Sequence, residues 1–341
     1  MKCIYPHNIL IIGNDGNTIS CPLERGNIQM GNINDGIMNV WNNNNYKNFR
    51  NNLSSYLKDP QKICWQCGLI EQSGGTSLRT ETPLLSDSPE LSAIQFKLSN
   101  RCQLVCAHCG PLLSSSWGKF VGKSDYIQQF ELADSVLDEL CEIVPNLKYI
   151  RFTGGEPWMD PMHWKILERL SKIDTKDCEL HYITNGLVNK NKIKYWENWK
   201  NISIRLSVDG CEDVYNWFRR KAKWENLVDS YELLSAMDNT NIIINYSLTP
   251  WTVDSIESTK KFFDAKLDVI PIMDPSHASL SSISKQEYKN LGLMHYEKYK
   301  NIIGIKSRPL TYLKSWAQTW DKKWNTVGQA EELFPWLKHI S

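Results

Sequence analysis

The stretch SNRCQLVCAHC, residues 99–109, sets Cys102, Cys106 and Cys109 at C-x3-C-x2-C. Three thiolates are one ligand short of the four that close a structural metal site. A zinc ion completed by His108 is awkward, because that residue lies between two of the cysteines it would have to join. Iron–sulfur clusters also use cysteine thiolates. A four-iron cluster on three cysteines keeps one iron open to an outside ligand.

The sequence around this stretch gives it a frame. SAIQFKLSN (92–100) precedes it and reads as a strand, rich in apolar and β-prone residues. Comparable runs follow at LKYIRFTGG (147–155), CELHYITNG (178–186), ISIRLSVDG (202–210), NIIINYSLTP (241–250) and LDVIPIMDP (267–275). Amphipathic segments such as ADSVLDELCEIV and WENLVDSYELLSAM separate them. Strands alternating with helices predict β-α-β units on a parallel sheet. Six repeats are too few for an eight-stranded barrel, so the expectation is an α/β fold with a partial (β/α)6 TIM barrel. The cysteines, TGGEP, TNG and SVDG each follow a strand, at the carboxyl ends where such folds gather function.

Composition excludes several classes. Lys and Arg number 39 against 38 Asp and Glu, so nucleic acid and anionic membrane surfaces are poor partners. No apolar run approaches the ~18 residues that cross a bilayer, and the N-terminus lacks a small-residue cleavage site. A cytoplasmic protein is expected. In that reducing compartment the ten cysteines read as metal ligands or core residues rather than disulfides.

With these residues in view, the chain resembles the radical S-adenosylmethionine (SAM) superfamily over roughly residues 92–275. The likeness rests on the cysteine spacing after the first strand, FTGGEPW (152–158), YITNG (182–186) and LSVDG (206–210). It implies that Cys102, Cys106 and Cys109 hold a [4Fe-4S] cluster whose open iron binds SAM. Reductive cleavage would then give a 5′-deoxyadenosyl radical that abstracts hydrogen. Gly154 and Gly155 allow close backbone approach, and Glu156 would accept from the SAM ammonium. The plain alternative for that turn is a helix cap. Ser207 and Asp209 would meet ribose hydroxyls or order the loop, and Arg219 or Arg220 would pair with the SAM carboxylate. Asn245, Thr184 and Asn185 are further contacts, although Asn185-Gly186 is also a simple turn. His108 departs from the family, which carries an aromatic residue before the third cysteine.

Cys3, Cys21, Cys64 and Cys67 form a second group. Asn14-Asp15-Gly16 predicts a hairpin that returns Cys21 towards Cys3, and a helix is expected over 45–57. As a bare pattern the four thiols suit zinc or an iron–sulfur cluster. The run C-x17-C…C-x2-C, with MGNINDGIMNVWNNNNYKNFRNNL between, resembles the SPASM/twitch modules of radical SAM proteins. The resemblance implies an auxiliary [4Fe-4S] cluster, here placed before the barrel. Three regions are expected: 1–90, a small α+β auxiliary domain ending in a polar linker; 91–275, the barrel; and 276–341, a helical, Trp-rich extension. Cys141, on an amphipathic segment, reads as a core residue, and Cys178 starts a strand away from the active end. Cys211, after SVDG, is a candidate hydrogen donor to a substrate radical.

The resemblance implies modification of a ribosomally made peptide by epimerisation, crosslinking or backbone splicing. A separate leader-binding partner and a reductant such as ferredoxin or flavodoxin would assist. Oxidation of a small sugar or alcohol is the alternative, and a non-catalytic metal-stapled scaffold is the reading from another class.

Overall fold

The computed structural model describes residues 2–23, 30–72, 74, 76–123, 127–187 and 190–340. The strands are β1 (Ile9–Ile12), β2 (Asn17–Ile19), β3 (Gly31–Asn32), β4 (Ala93–Lys97), β5 (Val105–Cys106), β6 (Tyr149–Thr153), β7 (Glu179–Thr184), β8 (Ile202–Ser207), β9 (Arg219–Arg220), β10 (Thr240–Leu248) and β11 (Lys266–Pro271). Among the described residues, nine of them form one sheet in the order β11-β10-β8-β7-β6-β4-β1-β2-β3. All six strands expected from the sequence pair in parallel, from β4 to β11. With two edge strands, β11 and β3, the sheet is an incomplete barrel.

The expected hairpin forms, with Ile11 opposite Ile19, but it does not stand apart. β1 also pairs in parallel with β4, Ile9 opposite Ala93 and Ile12 opposite Phe96. The N-terminal residues therefore extend the barrel sheet. The polar stretch before residue 90 is not a loose linker either. Asn8 clasps it, donating to the Ser88 and Glu90 carbonyls and accepting from Leu85 N and Ser86 N. Ser77 caps the short helix Leu78–Glu81. A buried amide can be satisfied only by partners brought to it, which ties this segment down.

Strand alternation decides which side chains face inwards. In ISIRLS, Ile202, Ile204 and Leu206 are buried beneath the outer helices, while Ser203, Arg205 and Ser207 lie half-buried on the opposite, concave face. The helices Asp134–Ile143 and Pro161–Leu170 cover the β4–β7 side, packing Leu137, Leu140, Ile166 and Leu170 against Phe96 and Phe152. Burying such a side chain contributes roughly 1.5–3 kcal/mol. The C-terminal residues are helical as expected. Helix Leu310–Trp324 presents Leu313, Ala317 and Trp320 to a separate core with Trp217, Trp251 and Trp336. No helix of the described residues is long and apolar enough to cross a membrane.

Candidate active site

The cysteine loop leaves the carboxyl end of β4, and its neighbours hold it by backbone contacts. β5 pairs antiparallel with β9, placing Cys106 opposite Arg219. Ala107 N donates to the Phe218 carbonyl at 2.7 Å. Ser114 Oγ donates to the Leu104 carbonyl, and Ser115 Oγ accepts from Cys102 N. Trp117 Nε1 donates to the Cys106 carbonyl at 2.9 Å, and His277 Nε2 to that of Ala107 at 2.8 Å. Ser114, Ser115 and Trp117 trail the motif closely, yet the sequence reading did not single them out. His277 lies 170 residues away, and no local signal marks it.

The two glycines of the next turn serve this loop. Gly155 N donates to the Ser99 carbonyl and Glu156 N to that of Arg101. A Cβ on Gly155 would lie 2.3 Å from the Arg101 carbonyl oxygen, and one on Gly154, at φ 120°, 2.9 Å from that of Ser99. The close approach these glycines permit is therefore between two backbones.

Glu156 is 1% exposed. Its carboxylate accepts from Thr184 Oγ1, Asn185 N and Trp158 N. Burial raises its pKa to about 7 against the pull of those bonds. Glu156, Thr184 and Asn185 thus form one buried cluster joining the ends of β6 and β7. Asn185 also exchanges hydrogen bonds with Gln103 and brings Nδ2 to 3.9 Å from Cys102 Sγ. Gln103 was not anticipated as part of the site.

Asp209 and Arg219 pair at 2.7 Å with almost no exposure. Asp209 Oδ1 also accepts from Ser247 N, and Arg219 Nη1 lies 3.9 Å from Cys106 Sγ. Asp209 is here an organiser of the loop. Arg220 is committed elsewhere: its guanidinium meets Asp321, Thr326 and Gln329 of the C-terminal region. Asp321 also accepts from Trp217 Nε1 and Ala330 N, a buried hub that sequence reading missed. His108 stacks on Phe218 with ring centres 5.2 Å apart. Desolvation lowers its pKa to about 4. Ser207 and Asn245 are register partners on β8 and β10, both half-buried. Cys211 is not brought to this group, since its Sγ faces Thr259 of the outer helix Ile256–Phe262.

The second thiol group also assembles. Cys3, Cys21, Cys64 and Cys67 line one pocket with Phe49, Leu53, Leu57, Ile63 and Arg79. Cys64 and Cys67 reach it from the start of helix Trp65–Gln72. Gly68 in that helix packs so closely on Leu57 that a Cβ would overlap its carbonyl oxygen. Glu71 pairs with Arg79, whose Nη1 donates to the Lys2 carbonyl.

Both donor sets suit iron–sulfur clusters. Burial pushes the Cys3 thiol up to about 11 and Cys102 to about 12, so an apolar shell surrounds soft ligands. Cys102 and Cys106 each feel the charge of Cys109, all three feel that of Arg219, and Arg219 Nε is buried without a hydrogen-bond partner. Among the described residues, no three His, Cys, Asp or Glu groups converge tightly enough for a single metal ion.

Fold and donors together describe a parallel α/β protein with two groups of clustered thiols. The chain matches the model of the radical SAM superfamily over residues 96–263, and that of SPASM, an iron–sulfur cluster-binding domain, over residues 3–68. It belongs to the radical SAM superfamily, an enzyme family whose cofactors are an iron–sulfur cluster and SAM, and it carries a SPASM domain. It is similar to the antilisterial bacteriocin subtilosin biosynthesis protein AlbA of Bacillus subtilis, 31% identical over 147 residues, covering 41% of this chain and 30% of that one. It is also similar to GTP 3′,8-cyclase of Streptomyces coelicolor, 22% identical over 158 residues, covering 46% and 45%. Among solved structures, native anSMEcpe with bound AdoMet aligns at 22% identity over 62% of each chain, with a TM-score of 0.42. The chain spans less than half the length of these curated relatives.

Proposed function

We propose that this protein cleaves SAM reductively to a 5′-deoxyadenosyl radical and uses it to abstract hydrogen from a ribosomally made peptide, working in the cytosol. Residues 91–275 provide the radical-generating barrel, 1–90 the auxiliary centre and 276–341 a buttress. Cys102, Cys106 and Cys109 hold the SAM-binding [4Fe-4S] cluster, and Cys3, Cys21, Cys64 and Cys67 hold the second. When bound, the first cluster supplies one electron and an open iron for SAM. The chain's own residues do the rest. Gly154 and Gly155 press the turn onto the loop, Glu156 ties it to Thr184 and Asn185, and Arg219 sets a positive charge beside Cys106. Ser207 and Asn245 line the adjoining concave face, available to ribose or substrate hydroxyls.

The observation that carries this reading is the three-thiol loop pinned at the carboxyl ends of β4, β6 and β7. The peptide class is supported by the likeness to AlbA, named for bacteriocin biosynthesis. The likeness to GTP 3′,8-cyclase favours a small-molecule substrate as the second reading. Anaerobic reconstitution with iron and sulfide, followed by dithionite and SAM, should yield 5′-deoxyadenosine by chromatography. Co-expression with short peptides encoded beside the gene should change a peptide's mass or its residue stereochemistry. If SAM is cleaved but no peptide changes, the small-molecule reading takes over. If SAM stays intact, the catalytic reading falls.

A further inference from the structure

The concave face of the sheet carries a rung of polar side chains that the site above leaves unused. Register aligns Gln95 on β4, Arg151 on β6, His181 on β7 and Ser203 on β8. Ile94, Ile150, Leu180 and Ile202, each one residue earlier, lie in the core on the opposite face, so strand alternation turns the rung inwards. Arg151 Nη2 lies 3.4 Å from His181 Nδ1, and His181 Nε2 lies 2.8 Å from a Glu179 carboxylate oxygen. A guanidinium can only donate, so Nδ1 accepts and Nε2 carries the proton given to Glu179. Desolvation lowers the His181 pKa, in keeping with a neutral ring. The Tyr149 ring stacks on that of His181 at 4.5 Å and lies 5.0 Å from the Arg151 guanidinium carbon. Glu179 and His181 thus orient Arg151 without neutralising it.

The neighbouring donors lack acceptors as well. Among the described residues, no carboxylate pairs with Arg151, and Gln95, 6% exposed, makes no side-chain hydrogen bond. Lys97, two residues further along β4, makes neither a hydrogen bond nor an ion pair. A half-buried cation is costly to hold unless a counter-charge is supplied. Lys97 lies within electrostatic range of Cys21, which sets this wall between the two thiol centres. Tyr149, Glu179 and His181 also line an open vestibule of about 600 Å³ at the amino ends of β6 and β7, flanked by Lys148 and Lys200.

We propose that Gln95, Lys97 and Arg151 form an oxyanion subsite that anchors a carboxylate of the peptide substrate, a proposal that rests on the peptide reading above. The wall offers donors and positive charge, so its ligand brings acceptors and negative charge. The planar fork of Arg151 matches the two oxygens of a carboxylate. Ser207, on the SAM side of the same face, lies four residues beyond Ser203, roughly 13 Å along the strand. An extended peptide anchored at the rung would offer the radical a residue within about four positions of the acidic one.

The test uses the full-length, anaerobically reconstituted protein and three model peptides. These are acetyl-Gly-Gly-Glu-Gly-Gly-amide, its Gln counterpart, and the Gln peptide with a free C-terminus; inorganic phosphate is the fourth probe. Saturation-transfer NMR measures each affinity. The expected result is that a carboxylate peptide binds about tenfold more tightly than the uncharged Gln amide. Preference for the Glu amide assigns the anchored group to a side chain, and preference for the free acid assigns it to the chain end. Arg151→Gln should remove the preference and Arg151→Lys should keep part of it. His181→Phe should shrink the ratio, since the guanidinium loses its positioning partner. A merely structural role for these residues would weaken all three peptides alike and leave the ratio unchanged. Equal affinities in the wild-type protein would overturn the subsite alone, because the mass change on co-expression tests the peptide reading separately. Phosphate binding that Arg151→Gln abolishes, with no carboxylate preference, would overturn the carboxylate assignment.

Discussion

The two thiol centres of this molecule are built on opposite principles. The N-terminal pocket draws its cysteines from three separate places: the residue before helix Ile4–Asn8, the residue following Ser20 after β2, and the start of helix Trp65–Gln72. Its walls are mainly apolar, from Phe49, Leu53, Leu57 and Ile63. The loop at 102–109 holds its three cysteines within eight residues, and polar groups frame it, Trp117 from just past the motif and His277, Arg219 and Asn185 from far along the chain. Packing tolerates small shifts, whereas directed hydrogen bonds fix position and orientation. A centre that must present an open site needs the second kind of frame.

The largest effect should come from the thiols themselves. Cys102→Ala, Cys106→Ala or Cys109→Ala should reduce 5′-deoxyadenosine formation to background. Cys64→Ala or Cys67→Ala should lose the second set of iron and keep SAM cleavage. Iron analysis and product chromatography check both, and a Cys67→Ala protein unable to cleave SAM would erase the distinction drawn above.

Next comes the buried Asp209–Arg219 ion pair beside the loop. Asp209→Asn keeps an acceptor for Ser247 N but strands the Arg219 charge. Removing one partner of a buried pair costs about 3–5 kcal/mol, measurable by urea denaturation of the metal-free protein. A loss below about 1 kcal/mol would show that packing alone holds this loop too.

Each region also contains a glycine where two backbones touch. Gly155→Ala and Gly68→Ala should each cost roughly 1–3 kcal/mol through overpacking. The first should deplete iron at the three-cysteine loop and the second at the N-terminal pocket. Gly110→Ala, with nothing within 4 Å of its Cβ, should stay within about 0.5 kcal/mol. Spectroscopy of the two iron sets decides whether the damage stays local.

The smallest effect per pH unit is a pair of opposite pH dependences. Burial lifts Glu156 from 4.5 to about 7, so between those values the folded protein binds more protons than the unfolded chain. Stability should fall as pH rises through that window, by at most about 1.4 kcal/mol per unit, and Glu156→Gln should flatten the curve. Glu71 runs the other way. The hydrogen bond from Arg79 lowers its pKa, giving stability that is present above pH 4.5 and lost as pH falls through the lowered value. Glu71→Gln should remove that acid-side loss. Denaturant titrations across about pH 2–8 would separate them, and parallel curves would contradict the contrast.

Much of this arrangement was legible. β-prone runs alternating with amphipathic segments specify parallel strands, and Asn14-Asp15-Gly16 specifies a hairpin, because both signals are local. The roles within the site were less so. Arg219 and Arg220 are adjacent, yet one faces Asp209 and the other Asp321, more than 100 residues on. The glycines of TGGEP announced a close approach, but not that its partner is the backbone of Ser99–Arg101. Cys211 follows a strand end, yet its thiol turns outwards to Thr259.

What the sequence determined by itself was the donor set and its address: three thiols at a fixed spacing after the first strand of an α/β repeat. Those follow from short-range pattern, since ligand spacing and strand periodicity are written within a few residues. Only the tertiary structure decided that β1 joins β4, that four distant cysteines share one pocket, and that Asp209, Asn185 and His277 frame the loop. Such contacts arise when buried polar groups find partners across the closed fold, and no local pattern encodes which partner is nearest.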